Sequence, residues 1–220
     1  MGRPAKPRGK DDPRLLSERN GRRAPEVTTD RRIELVQAAA RVFATKGVGN
    51  TTMRDIADET GILAGSLYHH FQSKDALLEE ALRTVLNELT EAYEAIKNKD
   101  LHPVAAVEEL ILTGLRFVTD EPDVTSIVQN DYTYLHDVET FAFVDEMTNQ
   151  HRKIWRKVLE RGVKEGAFRP DLDLDLTYRS MIAGIVAEVR WRRGKTRKPS
   201  AIALARQHSE LYLRGLLAEN

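Results

Sequence analysis

The 220-residue sequence predicts an all-α fold, and three observations carry that reading. From Thr28 onward, apolar residues recur every three or four positions. No stretch alternates apolar and polar residues as a half-buried strand would. Glycine and proline gather between the periodic segments, where helices stop.

Residues 1–27 contain Pro4, Pro7, Pro13 and Pro25 and few large apolar side chains, so they are expected to form a disordered basic arm. The arm holds eight Lys/Arg against four acids. The rest of the chain holds 26 bases against 30 acids, for a formal net charge of +0. A basic arm on a mildly acidic body points to a polyanion met at one end only. Gly2-Arg3-Pro4 has the form of a minor-groove arginine hook, but a solvated tail drawn to phosphates explains it more simply.

Thr28 or Thr29 can cap a first helix with Ile33, Val36, Ala40 and Phe43 on its apolar side, ended by Lys46-Gly47. Thr52, with Asp55 three residues on, starts a second helix that buries Ile56 and Ala57 and stops at Gly61. After a very short turn, residues 64–71 form a brief third helix burying Leu67 and Phe71. Ser73 caps a long fourth helix striped with Leu78, Leu82, Val85, Leu89, Ala92 and Ile96. Its roughly 23 residues would extend about 35 Å. Five further segments, at about 103–119, 123–136, 138–165, 173–192 and 199–218, bring the total to about nine helices, with a possible split near Phe141.

Two short helices joined by a glycine turn behind a first helix make a helix-turn-helix, placed at 28–74; residues 75–220 then form a second helical domain. The second helix presents unpaired amides at its start, so Thr52 and Arg54 are placed to hold a phosphate. The third turns Gly65, Ser66, Tyr68, His69 and His70 away from Leu67. Small residues at its start would let backbone approach a major groove, while hydroxyls and imidazoles reach bases or phosphates. Lys74 adds a cation at the same rim.

The chain has no cysteine, which excludes disulfides, thiol catalysis and zinc fingers and suits a reducing cytoplasm. No apolar run approaches the roughly 18 residues of a bilayer span, and no secretory signal is legible, so no membrane partner is expected. His69-His70 points two ways from a helix with no third ligand near. Asp171, Asp173 and Asp175 lack the glycine and glutamate of a calcium loop, with Leu176 and Ile182 at those positions. No catalytic motif, metal or cofactor is legible.

Phe43-Ala44-Thr45-Lys46-Gly47, Thr51-Thr52-Met53-Arg54-Asp55-Ile56-Ala57, Gly61 to Phe71 and Ser73-Lys74-Asp75-Ala76-Leu77 resemble the DNA-binding signature of TetR/AcrR-family regulators. The resemblance covers about residues 30–80, with every part in order. It implies that Thr52, Arg54, Tyr68, His70 and Lys74 contact phosphates while Gly65, Ser66 and His69 face bases. It also implies a homodimer on palindromic double-stranded operator DNA, paired through the last two helices, and a small effector held among helices four to seven. Tyr93, Phe117, Tyr132, Phe141, Met147 and Trp155 are the candidate lining, although ordinary core packing accounts for half or more of such residues. Arg152 and Arg190 are candidates for an anionic ligand group. His151-Arg152-Lys153-Ile154-Trp155, residues 165–173 and Val189-Arg190-Trp191 are similar to an acyl-CoA-responsive repressor of cholesterol catabolism in actinobacteria. Residues 181–187 depart from that pattern by being aliphatic and small. The expectation is a ligand-responsive repressor; the alternatives are a ligand-independent architectural DNA-binding protein and, less favoured, an α-helical enzyme.

Overall fold

The computed structural model describes residues 25–217, and their side chains from residue 31. The expected basic arm therefore lies outside the described residues, apart from its last three. Those residues are already helical: α1 (Pro25–Lys46) begins at Pro25 and not after Thr28 or Thr29. Proline suits a first helical position, where its missing N–H would have no partner anyway.

Then follow α2 (Met53–Thr60), α3 (Ala64–His70) and α4 (Lys74–Asn98). The C-terminal part adds α5 (Pro103–Asp120), α6 (Pro122–Asn130), α7 (Tyr132–Asp137), a 3₁₀ turn (Glu139–Phe141), α8 (Ala142–Lys164), α9 (Leu174–Arg192) and α10 (Ala201–Leu216). Among the described residues there are ten α-helices, and the all-α prediction holds. The tenth arises because the segment expected at 123–136 breaks at Asp131, which sits at φ −104° and ψ 25°.

Two apolar clusters share α4. The first joins α1–α3 to the front half of α4, and continues through Val124, Ile127, Leu135, Phe141 and Val144. The second joins the back half of α4 to α5 and α8–α10 around Tyr93, Leu110, Trp155, Phe168 and Met181, and Phe117 packs against both. The hydrophobic packing thus runs past residue 74, so the helix-turn-helix rests on elements of the C-terminal part.

α1 differs from the sequence reading in its buried face. Leu35, Ala39, Val42 and Phe43 pack inward, while Ile33 is half exposed and Val36 only partly covered. Burial goes to the face that meets α2, α4 and α6, where Ala40 is buried too, and only Ile33 and Val36 are left along its edge.

Two helical glycines permit close approaches. A Cβ on Gly162 would stand 2.1 Å from the Phe168 ring, which is folded back on α8 after Gly166 (φ 74°). A Cβ on Gly184 would stand 2.2 Å from the Tyr212 hydroxyl, which donates to Ser180 O at 3.0 Å. Gly184 thus lets Tyr212 of α10 lie close against α9. An isolated bridge between Phe168 and Leu217, with Arg169 N donating to Leu216 O at 2.9 Å, ties the α8–α9 turn to the end of α10.

Candidate functional site

α2 opens with a complete capping box. Thr52 Oγ1 accepts from Asp55 N at 3.2 Å, and the Asp55 carboxylate accepts from Thr52 N at 2.8 Å. Lys46 Nζ also donates to Asp55 Oδ1 at 2.6 Å. That bond, then those from Thr52, hold the Asp55 carboxyl well below the usual carboxylate range. The helix start is thus already occupied by its own carboxylate. Arg54 projects beside it, exposed, with no ion pair among the described residues. Gly61 closes α2 at φ 66°, its amide turned back toward Ala57 and Asp58, so α3 begins almost at once.

α3 is anchored by Leu67, which is fully buried, and by Phe71 just beyond it. Gly65, Ser66, Tyr68 and His69 all face solvent, and nothing lies within 4 Å of where a Gly65 Cβ would be. His70 is half-buried. The end of α3 is clamped by a residue sequence reasoning missed. Arg32 donates from Nη1 to His70 O at 3.0 Å, pairs with Glu80 on α4, and lies 4.2 Å over the Phe71 ring. An arginine within an otherwise charged helix start gives no signal of this in sequence.

Lys74 is half-buried and turned inward. Its Nζ donates to Val48 O at 2.8 Å and Thr51 O at 3.1 Å, tying the α1–α2 loop to the start of α4. An ammonium has three N–H donors, so one remains for a phosphate. The same loop is held from the other side by Asp131, also missed in sequence, whose Oδ1 accepts from Val48 N at 2.9 Å. Tyr134 on α7 stands 5.7 Å from Lys74 Nζ and donates its hydroxyl to Asp75 at 2.8 Å. The α6–α7 corner thus grips both the loop before α2 and the start of α4.

The candidate effector residues fall into three groups. Tyr93 and Trp155 meet in the second cluster, edge to face at 6.0 Å, joined by His151 at 5.3 Å from Tyr93 and Tyr178 at 6.2 Å from Trp155. Phe141 and Met147 belong instead to the first cluster, and Phe117 bridges the two. Tyr132, Arg152 and Arg190 are exposed, Tyr132 stacking on His136. The packed cluster around Tyr93 is largely apolar but carries buried polar atoms. Trp155 Nε1 has no hydrogen-bond partner among the described residues, and His151 Nε2 shares a 2.7 Å bond with Thr90 Oγ1. Burial lowers the His151 imidazole to about 4, and burial pushes the Tyr178 phenol up to about 12, an effect that nearby Arg152 opposes.

On the outer faces of α9 and α10, Leu176, Trp191, Ile202 and Leu211 are all more than half exposed. No helix among the described residues is long and apolar enough to cross a membrane.

Known proteins share this architecture. Residues 35–81 match the family described as bacterial regulatory proteins, tetR family, and residues 100–216 match the tetracyclin repressor-like C-terminal domain. The HTH-type transcriptional repressor KstR2 of Mycolicibacterium smegmatis is 39% identical over 189 residues, covering 86% of this chain and 90% of that protein. The structure of the ketosteroid transcriptional regulator KstR2 of Mycobacterium tuberculosis superposes with a TM-score of 0.81 at 36% identity, covering 86% of this chain and 96% of the other. AibR, solved in complex with isovaleryl coenzyme A and operator DNA, shares the fold with a TM-score of 0.71 at 20% identity, over 85% of this chain and 98% of its own. The helix-turn-helix, the helical C-terminal part and these relatives agree: the chain belongs to the TetR family of DNA-binding transcriptional regulators and is not an enzyme.

Proposed function

We propose that the protein is a cytoplasmic repressor that binds a palindromic operator as a homodimer and is released by a small hydrophobic or acyl-CoA-like effector. The observation that carries this reading is the open, well-braced face of α3. Leu67, Phe71, Arg32 and Lys74 fix its position, while Gly65, Ser66, Tyr68 and His69 stay accessible. Gly65 and Ser66 let α3 approach base edges closely, with His69 beside them. Arg54, Tyr68 and His70 hold phosphates, and Thr52 joins them by turning its hydroxyl away from Asp55. Lys74 acts chiefly as a brace and gives its remaining N–H to the backbone of the DNA.

Pairing through the exposed apolar faces of α9 and α10 sets two α3 helices for major grooves about 34–36 Å apart. The effector enters the second cluster, where its apolar body meets Tyr93 and Trp155 and a polar end meets the orphaned Trp155 N–H. Arg152, near Tyr178, receives an anionic group at the mouth. A steroid-derived or acyl-CoA ligand fits that combination, in keeping with the relatives named for ketosteroids and solved with isovaleryl coenzyme A. Release requires the effector to prefer the state with mis-set α3 spacing, by about 5.5 kcal/mol for a 1:99 to 99:1 reversal.

Selection of genomic DNA fragments by the purified protein tests the reading. A recovered palindrome, released on adding an acyl-CoA or steroid acid, is expected, with a solution mass twice the 25.0 kDa of the chain. No enrichment over bulk DNA, with or without these ligands, would overturn it. A palindrome that no ligand releases would favour the architectural alternative.

A further inference from the structure

The stripe Ile33-Val36-Ala40 of α1 is the floor of a groove of about 440 Å³ between α1, α4 and the α5–α6 corner, with Ala81, Val85 and Val124 completing it. Its rim is acidic. Glu88, Asp120, Glu121 and Asp123 line it and form no ion pair among the described residues. The two rim groups that do pair are already matched, Glu80 with Arg32 and Arg41 with Glu59 at 3.7 Å. Burial, then the like charges of Glu88, Asp120 and Asp123, raises the Glu121 carboxyl above its ordinary value. A partly buried apolar floor under uncompensated carboxylates calls for an occupant that is basic and carries apolar side chains.

The chain carries such a segment, attached to the groove's own wall. Residues 1–24 hold eight Lys/Arg against three acids, and Leu15-Leu16 sits beside Arg14, with Arg19, Arg22 and Arg23 following. From Pro25, the stretch Val36 to Ala40 lies about 17–22 Å along α1. The nine residues from Leu16 to Pro25 can span up to about 30 Å, so the leucine pair reaches the floor with slack. A tether this short gives an effective concentration in the millimolar range, enough for a modest contact to be populated.

We propose that residues 14–23 of the basic arm fold back into the acidic groove between α1, α4 and the α5–α6 corner. Leu15 and Leu16 lie on the apolar floor and the arginines meet the rim carboxylates. The docked arm is withheld from nucleic acid, and operator DNA competes with the groove for the same arginines. The docking stands on the groove alone; only the competition rests on the DNA-binding reading.

The chain has no cysteine, so Ser17→Cys carries a single nitroxide label in the full-length protein. Labelled protein should lose methyl NMR signals from Ile33, Val36, Val85 and Val124 ahead of those from Ile56 or Val158. Glu88→Gln/Glu121→Gln should restore them, both sites being exposed. Losses centred on the α3 face, or spread evenly over the surface, would overturn the proposal. So would losses seen only when labelled and isotope-enriched chains are mixed, since the arm would then belong to a second copy.

An affinity measurement gives an independent check. If the arm is docked in half to nine-tenths of molecules, Glu88→Gln/Glu121→Gln tightens operator binding about two- to tenfold. In the Leu15→Ser/Leu16→Ser background, where the arm is already free, the same Gln pair should give no further gain. A gain that persists reflects general loss of negative charge and would refute the competition while leaving the NMR result to decide the docking.

Discussion

Replacing Asp131 by alanine should weaken operator binding although Asp131 is an acid and no candidate for holding a phosphate. The residue receiving its support, Val48, is fully buried, and the bond from Val48 N to Asp131 Oδ1 is 2.9 Å. Leaving a buried N–H unpaired costs about 1–3 kcal/mol, and the partial exposure of the carboxylate puts this case near 1–2. The loop is otherwise held by Lys74 through Val48 O and Thr51 O, so it loosens without detaching. If loosened arrangements take over that free energy, operator affinity falls by about five- to thirtyfold, since 1.4 kcal/mol is one decade. The sign is diagnostic: deleting a carboxylate near DNA should by charge alone strengthen attraction to phosphates. The slope of affinity against salt should stay as it was, because no phosphate contact is lost. Fluorescence anisotropy over about 50 to 200 mM salt, with hydrogen exchange at the Val48 amide, reads both quantities. Asp131→Asn keeps an acceptor and should recover most of the loss. Unchanged or tighter binding by Asp131→Ala, with the Val48 amide still protected, would refute the brace.

Three other substitutions probe separate parts of the molecule. Arg54→Ala should weaken binding to all sequences alike and reduce the salt slope by about one, in contrast to Asp131→Ala. Gly162→Ala forces a methyl against the Phe168 ring; overpacking costs about 1–3 kcal/mol and should lower the Tm by several degrees in calorimetry. For His151, the folded pKa of about 4 lies below the ordinary 6.5, so between those values the unfolded chain binds more protons. Stability therefore falls as pH drops from about 6.5 to 4, by roughly 3 kcal/mol from this residue. Denaturation of His151→Gln should lose that part of the pH dependence, and an unchanged profile would contradict neutral burial.

Much of the DNA-binding half was legible because its signals are local. Thr52 with Asp55 and the left-handed Gly61 each state a boundary within a few residues, and the structure places those caps as read. What escaped the sequence depends on distant partners. Asp131 breaks a helix while serving an amide 83 positions earlier, and nothing around it marks that role. Lys74 reads as an exposed cation until Val48 O and Thr51 O are seen to accept two of its N–H bonds. Helical spacing alone could not say that α1 buries Leu35, Ala39 and Val42 and leaves Ile33 and Val36 at an edge, because both sets are apolar. The candidate effector residues were the least legible. Aromatic side chains at similar spacing divide between two clusters and the surface, and only contacts between helices separate Tyr93 and Trp155 from Phe141 and Tyr132.

The bridge between Phe168 and Leu217 bears on how the chain is made. α5 is covered on one side by α4 and α8 and on another by α10, which leaves the ribosome only after α6 through α9 have emerged. Until then the nascent chain keeps part of α5 uncovered and the α8–α9 turn unpinned, so the second cluster cannot close in order of synthesis. A stop codon or frameshift within α10 would remove no residue of the helix-turn-helix. It would nonetheless leave an intermediate with a sticky flank, prone to aggregation or proteolysis before it ever meets DNA.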